Sequence, residues 1–468
     1  MGLLETIATG PTRDHPALVY GEHQLTFGEL ISAGHTRANW LRKNGVSKGS
    51  VVSTVLEDPL QFIIWQLASI EAKVVFAPVS PQFTSWEFQD VLRTLEPQWL
   101  ITDIPIPPTH CQPVQSLSVF GVHLQRYYKF RTIPSELSEG GFIRFSSGTT
   151  GVAKGVCISF QSAFDRVQAV LPQELVQSGD KVLSVLSLHH HFVISVLLFL
   201  TSHTTLILPK NQSPREFLDA IKLHDPQVVY GAPFHVQLLA NRSALSGTTI
   251  RQIITTSTAL SEKIAQDFYS HHDIPLIQIL GNIEVGLPLI NQKWARTMPT
   301  ALGSLLPAFN AQLKPVTGLV THTSDLCGEL FLKGPGLFDC YLDPYRHRTT
   351  VSSAEGFSTG DIVSVDRNGC YHFLGRNKSV MNIGGLKVLP EEVEQELCSL
   401  PEVKEALVYS VPHDIFGERI IAEVIATNLN ERSVRQHLRQ RLSRYKIPSE
   451  IIFKTELMRT TTGKIIRR

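Results

Sequence analysis

The sequence predicts an α/β protein: a large N-terminal domain of α/β subdomains ending in a β-rich subdomain, then a small α+β domain from about residue 377. Three observations carry this. Short apolar, β-branched runs recur at 51–55, 73–76, 204–208, 227–230, 250–255 and 276–280, with helically spaced stretches such as 85–95 and 214–223 between many of them. Such alternation predicts buried, largely parallel strands covered by helices. From 328 to 373 the pattern becomes GELFLKG, DIVSVDRNG and CYHFLG, short strands broken by Gly, Asp and Asn turns. After Gly375-Arg376 it changes again. Pro390 opens a helix with Glu391 and Glu392 in its first turn, where the helix dipole favours them. Strands are expected at 406–411 and 420–427, and Val434, Leu438 and Leu442 fall at i, i+4, i+8 of a second helix.

Composition bounds the function. The 468 residues carry 43 Lys+Arg against 42 Asp+Glu, a net charge of +1, with 43% hydrophobic residues. That balance excludes a disordered chain and a nucleic-acid binder acting through bulk charge. The six cysteines form no CxxC pair, which fits a reducing compartment and argues against a cysteine-based zinc site. The N-terminus lacks a basic start and apolar core, so no secretory signal is expected. The most apolar run, 192–200, has only nine residues, against about 20 for a membrane span. It reads as a buried helix or strand, and the expected location is cytoplasmic, with no membrane partner.

The sharpest local feature is Phe145-Ser146-Ser147-Gly148-Thr149-Thr150-Gly151-Val152-Ala153-Lys154-Gly155-Val156, after an apolar run at 142–145. Glycines let backbone N–H groups converge on an anion, hydroxyls add donors, and a lysine adds charge. The chemistry is that of a polyphosphate grip. A Walker A loop fails here, because Ala153 stands where its second Gly belongs and Gly155 follows Lys154.

SSGTTGVAKGV resembles the phosphate loop of the acyl-adenylate-forming (AMP-binding) superfamily: acyl- and aryl-CoA synthetases, adenylation domains of nonribosomal peptide synthetases, and luciferases. Other segments resemble family motifs in order: LTFGEL at 25–30, FAPVSP at 76–81, LGNIE at 280–284 for "YGxTE", STGD at 358–361, GRNK at 375–378, NIGGLKV at 382–388, and TGK at 462–464. The resemblance covers essentially the whole chain.

It implies activation of a carboxylic acid by ATP to an acyl-adenylate, then transfer to the thiol of CoA or of a carrier protein's phosphopantetheine. Ser146, Ser147, Gly148, Thr149, Thr150, Gly151 and Lys154 would hold the phosphates. Glu284, with Thr149, would hold Mg²⁺, while Gly281 and Asn282 would border the nucleotide. Asp361 would take the ribose hydroxyls, assisted by Arg376. Lys464 would bridge the α-phosphate and the attacking carboxylate. Lys378 would be the hinge of a mobile C-terminal domain, 377–468, turning on the N-terminal domain, 1–376.

Departures bear on substrate and rate. Leu280 replaces the family's Tyr and Ile283 its Thr, which leaves open an adenylation-impaired, adenylate-binding homologue with a regulatory role. Thr256 and Ser257 stand where "GGAPL" glycines adjoin the acyl pocket, and should shrink or polarise it. Residues 187–193, SLHHHFV, lack the Asp that holds an α-ammonium in amino-acid-activating relatives. A small aryl or short acyl acid is therefore favoured, with His190 gating the carboxylate site and His191 near the substrate. A metal held by His189, His190 and His191 is disfavoured, since consecutive strand residues alternate faces. The arginine-rich stretch 432–444 could meet CoA phosphates or an acidic acyl or peptidyl carrier protein, or be a solvated face. A generic P-loop NTPase is disfavoured by the failed Walker pattern.

Overall fold

The computed structural model describes residues 3–9, 13–106, 113, 115–127, 131–145, 154–240, 245–319, 326–413, 417–459 and 465–466, and the backbone of Ser146. Among these, two nine-stranded sheets form the bulk of the chain. In the first, Pro16–Tyr20, Thr205–Leu208, Lys181–Ser184, Val228–Gly231, Gln252–Thr255 and Leu276–Asn282 run parallel. His23–Thr26 borders that set at one side, while Gly286–Ile290 and Ser304–Leu305 extend it at the other, all antiparallel. In the second sheet, Gly141–Ser146, Val75–Pro78, Val51–Val55 and Trp99–Thr102 are parallel. Lys154–Ser159 and Cys340–Tyr341 join them antiparallel. Strands buried on both faces need apolar side chains throughout, as the near-continuous runs at 51–55 and 228–231 supply.

The two sheets share one core. Phe62, Phe76, Phe142 and Phe192 meet edge-on there, with centroids 5.3–5.7 Å apart for Phe62–Phe76, Phe62–Phe192, Phe76–Phe192 and Phe142–Phe192. The apolar run at 192–200 proves helical, not extended. A wide π turn, Phe192–Val196, leads into Leu197–Thr201. The strand expected at 73–76 begins at Val75 instead. Lys73 adopts the left-handed conformation, φ 57°, and caps the Pro59–Ala72 helix through its N–H to Ile70 and Ser69 carbonyls.

Asn310–Lys314, Leu326–Lys333, Phe357–Val365 and Tyr371–Arg376 form a four-stranded antiparallel sheet. Beyond it, Met381–Ile383, Leu386–Val388, Val403–His413, Gly417–Ala426 and Glu450–Phe453 make a five-stranded sheet. The Pro390–Cys398 and Glu431–Arg441 helices pack on it, around a core of Val393, Val424, Val434 and Leu438. The 403–413 strand outruns its apolar segment because it pairs along its length with Gly417–Ala426. No helix among the described residues is long and apolar enough to cross a membrane.

Candidate active site

Gly141–Ser146 and Lys154–Ser159 pair antiparallel, with Ser146 opposite Lys154. Ser147, Gly148, Thr149, Thr150 and Gly151 lie outside the described residues, and so does Lys464. Lys154 reaches toward a ring, its Nζ 5.8 Å from the Tyr341 centroid. The Tyr341 hydroxyl in turn donates to Glu284 Oε1 at 3.0 Å. Burial, and then the adjacent Glu284 carboxylate, push the phenol well above its ordinary pKa, so it stays a donor.

Glu284 is fixed through its backbone. Its N–H donates to Asn282 Oδ1 at 2.8 Å, and its carbonyl accepts from Phe338 N–H at 2.7 Å. Arg166 then clamps the loop from below. Its Nε donates to the Gly336 carbonyl at 2.5 Å, Nη1 to Ile283 at 2.9 Å and Nη2 to Glu284 at 3.0 Å. Burial pulls its pKa down to about 9, and the nearby Arg144 charge adds to that, while Asp339 and Glu284 oppose it. A single partly exposed carboxylate oxygen pair at this place fits a hard dication that takes its remaining ligands from phosphate and water.

Elsewhere in the large domain, Arg144 donates through Nη2 to the His190 carbonyl, with its guanidinium 6.0 Å from the Phe192 ring centroid. Burial lowers its pKa to about 10, opposed by Glu284. The three histidines sit on a helical turn, Leu188–His191, rather than on a strand. This corrects the face-alternation reason for disfavouring a metal there. The residues do diverge in environment: His189 packs edge-on to Phe62 at 5.0 Å and burial lowers its pKa to about 4, while His191 Nε2 lies 3.3 Å from Ser257 Oγ. Ser257 keeps a left-handed backbone, φ 78°, costly for a residue with a Cβ. A glycine would take this conformation freely. Buried Thr256 bonds the Ile279 carbonyl at 3.1 Å, and a Cβ on Gly281 would meet its Oγ1 at 3.6 Å. Lys154, Tyr341 and Glu284 thus form one continuous line.

Asp361 and Arg376 form a second station, facing each other across the Phe357–Val365 and Tyr371–Arg376 strands. Arg376 Nε lies 2.7 Å from Asp361 Oδ1. The approach is not aligned as a hydrogen bond: Arg376 and Thr359 are the donors beside the carboxylate, and among the described residues neither of its oxygens receives a well-aligned hydrogen bond, although the side chain is only 1% exposed. Burial pushes the Asp361 pKa up to about 6 despite the opposing Arg376 and Thr359. A buried acceptor without aligned donors is an expensive arrangement unless a ligand completes it. Lys378 is exposed in the short turn Asn377–Ser379 that follows. Glu329 ties this turn back, accepting from Asn377 Nδ2 at 2.8 Å and from Ser358 Oγ.

Residues 4–342 match the AMP-binding enzyme family, and residues 392–464 match the AMP-binding enzyme C-terminal domain. The chain belongs to the AMP-binding enzyme family. Among relatives of this AMP-binding enzyme, the long-chain-fatty-acid–CoA ligase of Bacillus subtilis (strain 168) is 23% identical over 97% of the chain and 91% of its own length. The 4-coumarate–CoA ligase 3 of Arabidopsis thaliana is 25% identical over 97% and 88%. ATP-bound MatB from Rhodopseudomonas palustris has the same fold, with a TM-score of 0.84 at 23% identity over 99% of this chain and 96% of that one. So does the o-succinylbenzoate CoA synthetase of B. subtilis in complex with its acyl-adenylate, at 0.82, 20%, 99% and 96%.

Sequence reasoning missed Arg144, Arg166 and Tyr341 in this AMP-binding enzyme. An isolated Arg inside an apolar strand, as in Phe142-Ile143-Arg144-Phe145, was the one signal available, since a buried charge needs a reason. Tyr341→Phe is expected to raise the KM for MgATP roughly two- to tenfold, the worth of one hydrogen bond to the carboxylate. Pyrophosphate release at varied MgATP measures it; an unchanged KM would detach Tyr341 from the nucleotide site.

Proposed function

We propose that this AMP-binding enzyme uses ATP to convert a carboxylic acid to an acyl-adenylate and then passes the acyl group to the thiol of CoA. The observation that carries the reading is Asp361, a buried carboxylate that Arg376 approaches without aligning as a hydrogen bond, so that its oxygens keep room for further donors. Two vicinal hydroxyls of a ribose supply such donors. In this reading Lys154, with Ser146, Ser147, Gly148, Thr149, Thr150 and Gly151, grips the phosphates. Glu284 and Thr149 hold Mg²⁺, which neutralises phosphate charge when bound. Tyr341 and Asn282 keep the Glu284 carboxylate and its loop in place, Gly281 lets the loop approach the nucleotide, and His190 flanks the reacting carboxylate. Lys464 stabilises the charge that develops at the α-phosphate. The domain 377–468 turns about Lys378 on the domain 1–376 between the two steps.

For the acid, we favour a small aryl or short acyl compound. The His191–Ser257 contact and the buried Thr256 narrow and polarise the pocket wall, and residues 187–193 offer no carboxylate to an α-ammonium. For the thiol, CoA is preferred to a carrier protein. The basic helix is less available for a protein partner than its composition implies: Arg435 bonds Glu431 and the Pro448 and Ser449 carbonyls, and Arg441 pairs with Glu396. The test is ATP–pyrophosphate exchange with a panel of carboxylic acids, followed by product mass with CoA or a carrier protein. Small aryl or short acyl acids should support exchange and give acyl-CoA. Exchange with α-amino acids alone, or acyl transfer only to a carrier protein, would overturn the corresponding part.

A further inference from the structure

A hairpin turn joins Phe357–Val365 to Tyr371–Arg376, and it gathers three metal-ligating side chains away from the Glu284 line. Cys370 stands just before the Tyr371–Arg376 strand, and His372 is the second residue of that strand. The turn folds Asp366 onto them: its N–H bonds the Cys370 carbonyl at 3.0 Å, and its Oδ1 accepts from Asn368 N–H at 2.8 Å and Cys370 N–H at 2.9 Å. Oδ2 remains, and it faces His372 Nε2 at 3.8 Å. That gap is too long for a hydrogen bond, but it is close to the roughly 3.4 Å that separates two light-atom ligands of one tetrahedral ion. One ligand atom from each of Asp366, Cys370 and His372 lies within 4.8 Å of the others, and theirs is the one such group of three among the described residues.

We propose that Asp366, Cys370 and His372 bind one Zn²⁺ ion, with water in the fourth position. One sulfur, one imidazole nitrogen and one carboxylate oxygen form a donor set of borderline softness that suits zinc rather than Mg²⁺ or Ca²⁺. Asp366 and His372 are 20% and 33% exposed while Cys370 is fully buried, so the ion has a route in and a dry inner side. The absence of a CxxC pair excludes a thiolate-rich site but not this mixed one. The ion would staple the far end of the two strands whose near end holds Asp361 opposite Arg376.

The test is titration of the full chain, stripped with a chelator, with Zn²⁺ against a chromophoric competitor. One equivalent should bind, and X-ray absorption of the wild-type zinc form should show one sulfur with nitrogen and oxygen ligands. Cys370→Ser and His372→Ala should each weaken binding by at least about tenfold, while Cys398→Ser should leave it unchanged. Zinc coordinated without sulfur, no stoichiometric binding, or full affinity in both folded variants would overturn the proposal. The absorption measurement stands whether or not a variant folds.

Discussion

Replacing Lys464 by alanine is expected to cut acid-dependent pyrophosphate release by about a hundred- to a thousandfold, the usual cost of removing one charged donor aimed at a transition state. Transfer of the acyl group from preformed acyl-adenylate to CoA should fall less than tenfold. The asymmetry follows from the chemistry. In the first step a carboxylate attacks phosphorus, and negative charge accumulates where the lysine would bridge α-phosphate and carboxylate. In the second step the phosphate is already the leaving group, and under the proposed reading a lysine carried on a mobile domain would have withdrawn. The two half-reactions can be measured separately, by pyrophosphate release and by thioester formation from synthetic adenylate. Equal losses in both would mean that Lys464 supports the fold rather than one step. No loss in either would leave the adenylation chemistry without this residue.

Asp361→Asn is expected to stabilise the ligand-free chain while weakening ATP binding. The folded Asp361 pKa is raised from 3.8 to about 6, chiefly by burial. The sign follows from proton counting. Between those values the folded state holds a proton that the unfolded state has lost, so stability falls as pH rises through the window. Above about pH 6 the cost of the buried charge is complete, roughly 3 kcal/mol at the outside. Asparagine carries no such charge, so the ligand-free Tm at pH 7.5 should rise, and its increase on acidification from 7.5 to 5 should shrink. ATP affinity should fall roughly ten- to a hundredfold, as hydrogen bonds from two hydroxyls to a charged acceptor are lost. In the wild type, the same titration should raise the KM for ATP below about pH 6. Thermal melts across pH, with calorimetric ATP titration, decide it. A variant that melts lower yet binds ATP normally would remove Asp361 from the ribose site.

Much of the architecture is legible in the sequence because strands buried on both faces must be apolar along their length. The strand at 51–55 and the helix at 85–95 have the bounds that their patterns predict. Thr84 and Glu87 complete a reciprocal cap for that helix. Where local pattern and tertiary demand diverge, the reading slips. Lys73 follows a helix whose last carbonyls need a donor, so it caps the helix instead of opening the next strand. The run at 192–200 is apolar all round because it lies between two sheets, and periodicity cannot distinguish that from a strand. In the site, Lys154, Glu284, Asp361 and Arg376 are visible because their motifs are local. Arg144, Arg166 and Tyr341 are not, because their partners lie 46, 117 and 57 residues away. Only the fold brings such pairs together.

Arg166 grips Gly336, Ile283 and Glu284 through their carbonyl oxygens alone. Every residue type offers the same carbonyl, so this fastening is blind to side-chain identity. The loop can therefore exchange its side chains without losing its course, and the isoleucine at 283 is a residue of a kind it can absorb. A change of side chain at 283 is free to reshape what the loop touches while Glu284 stays where it is. A change at Arg166 has no such freedom, since one side chain would release two loops together.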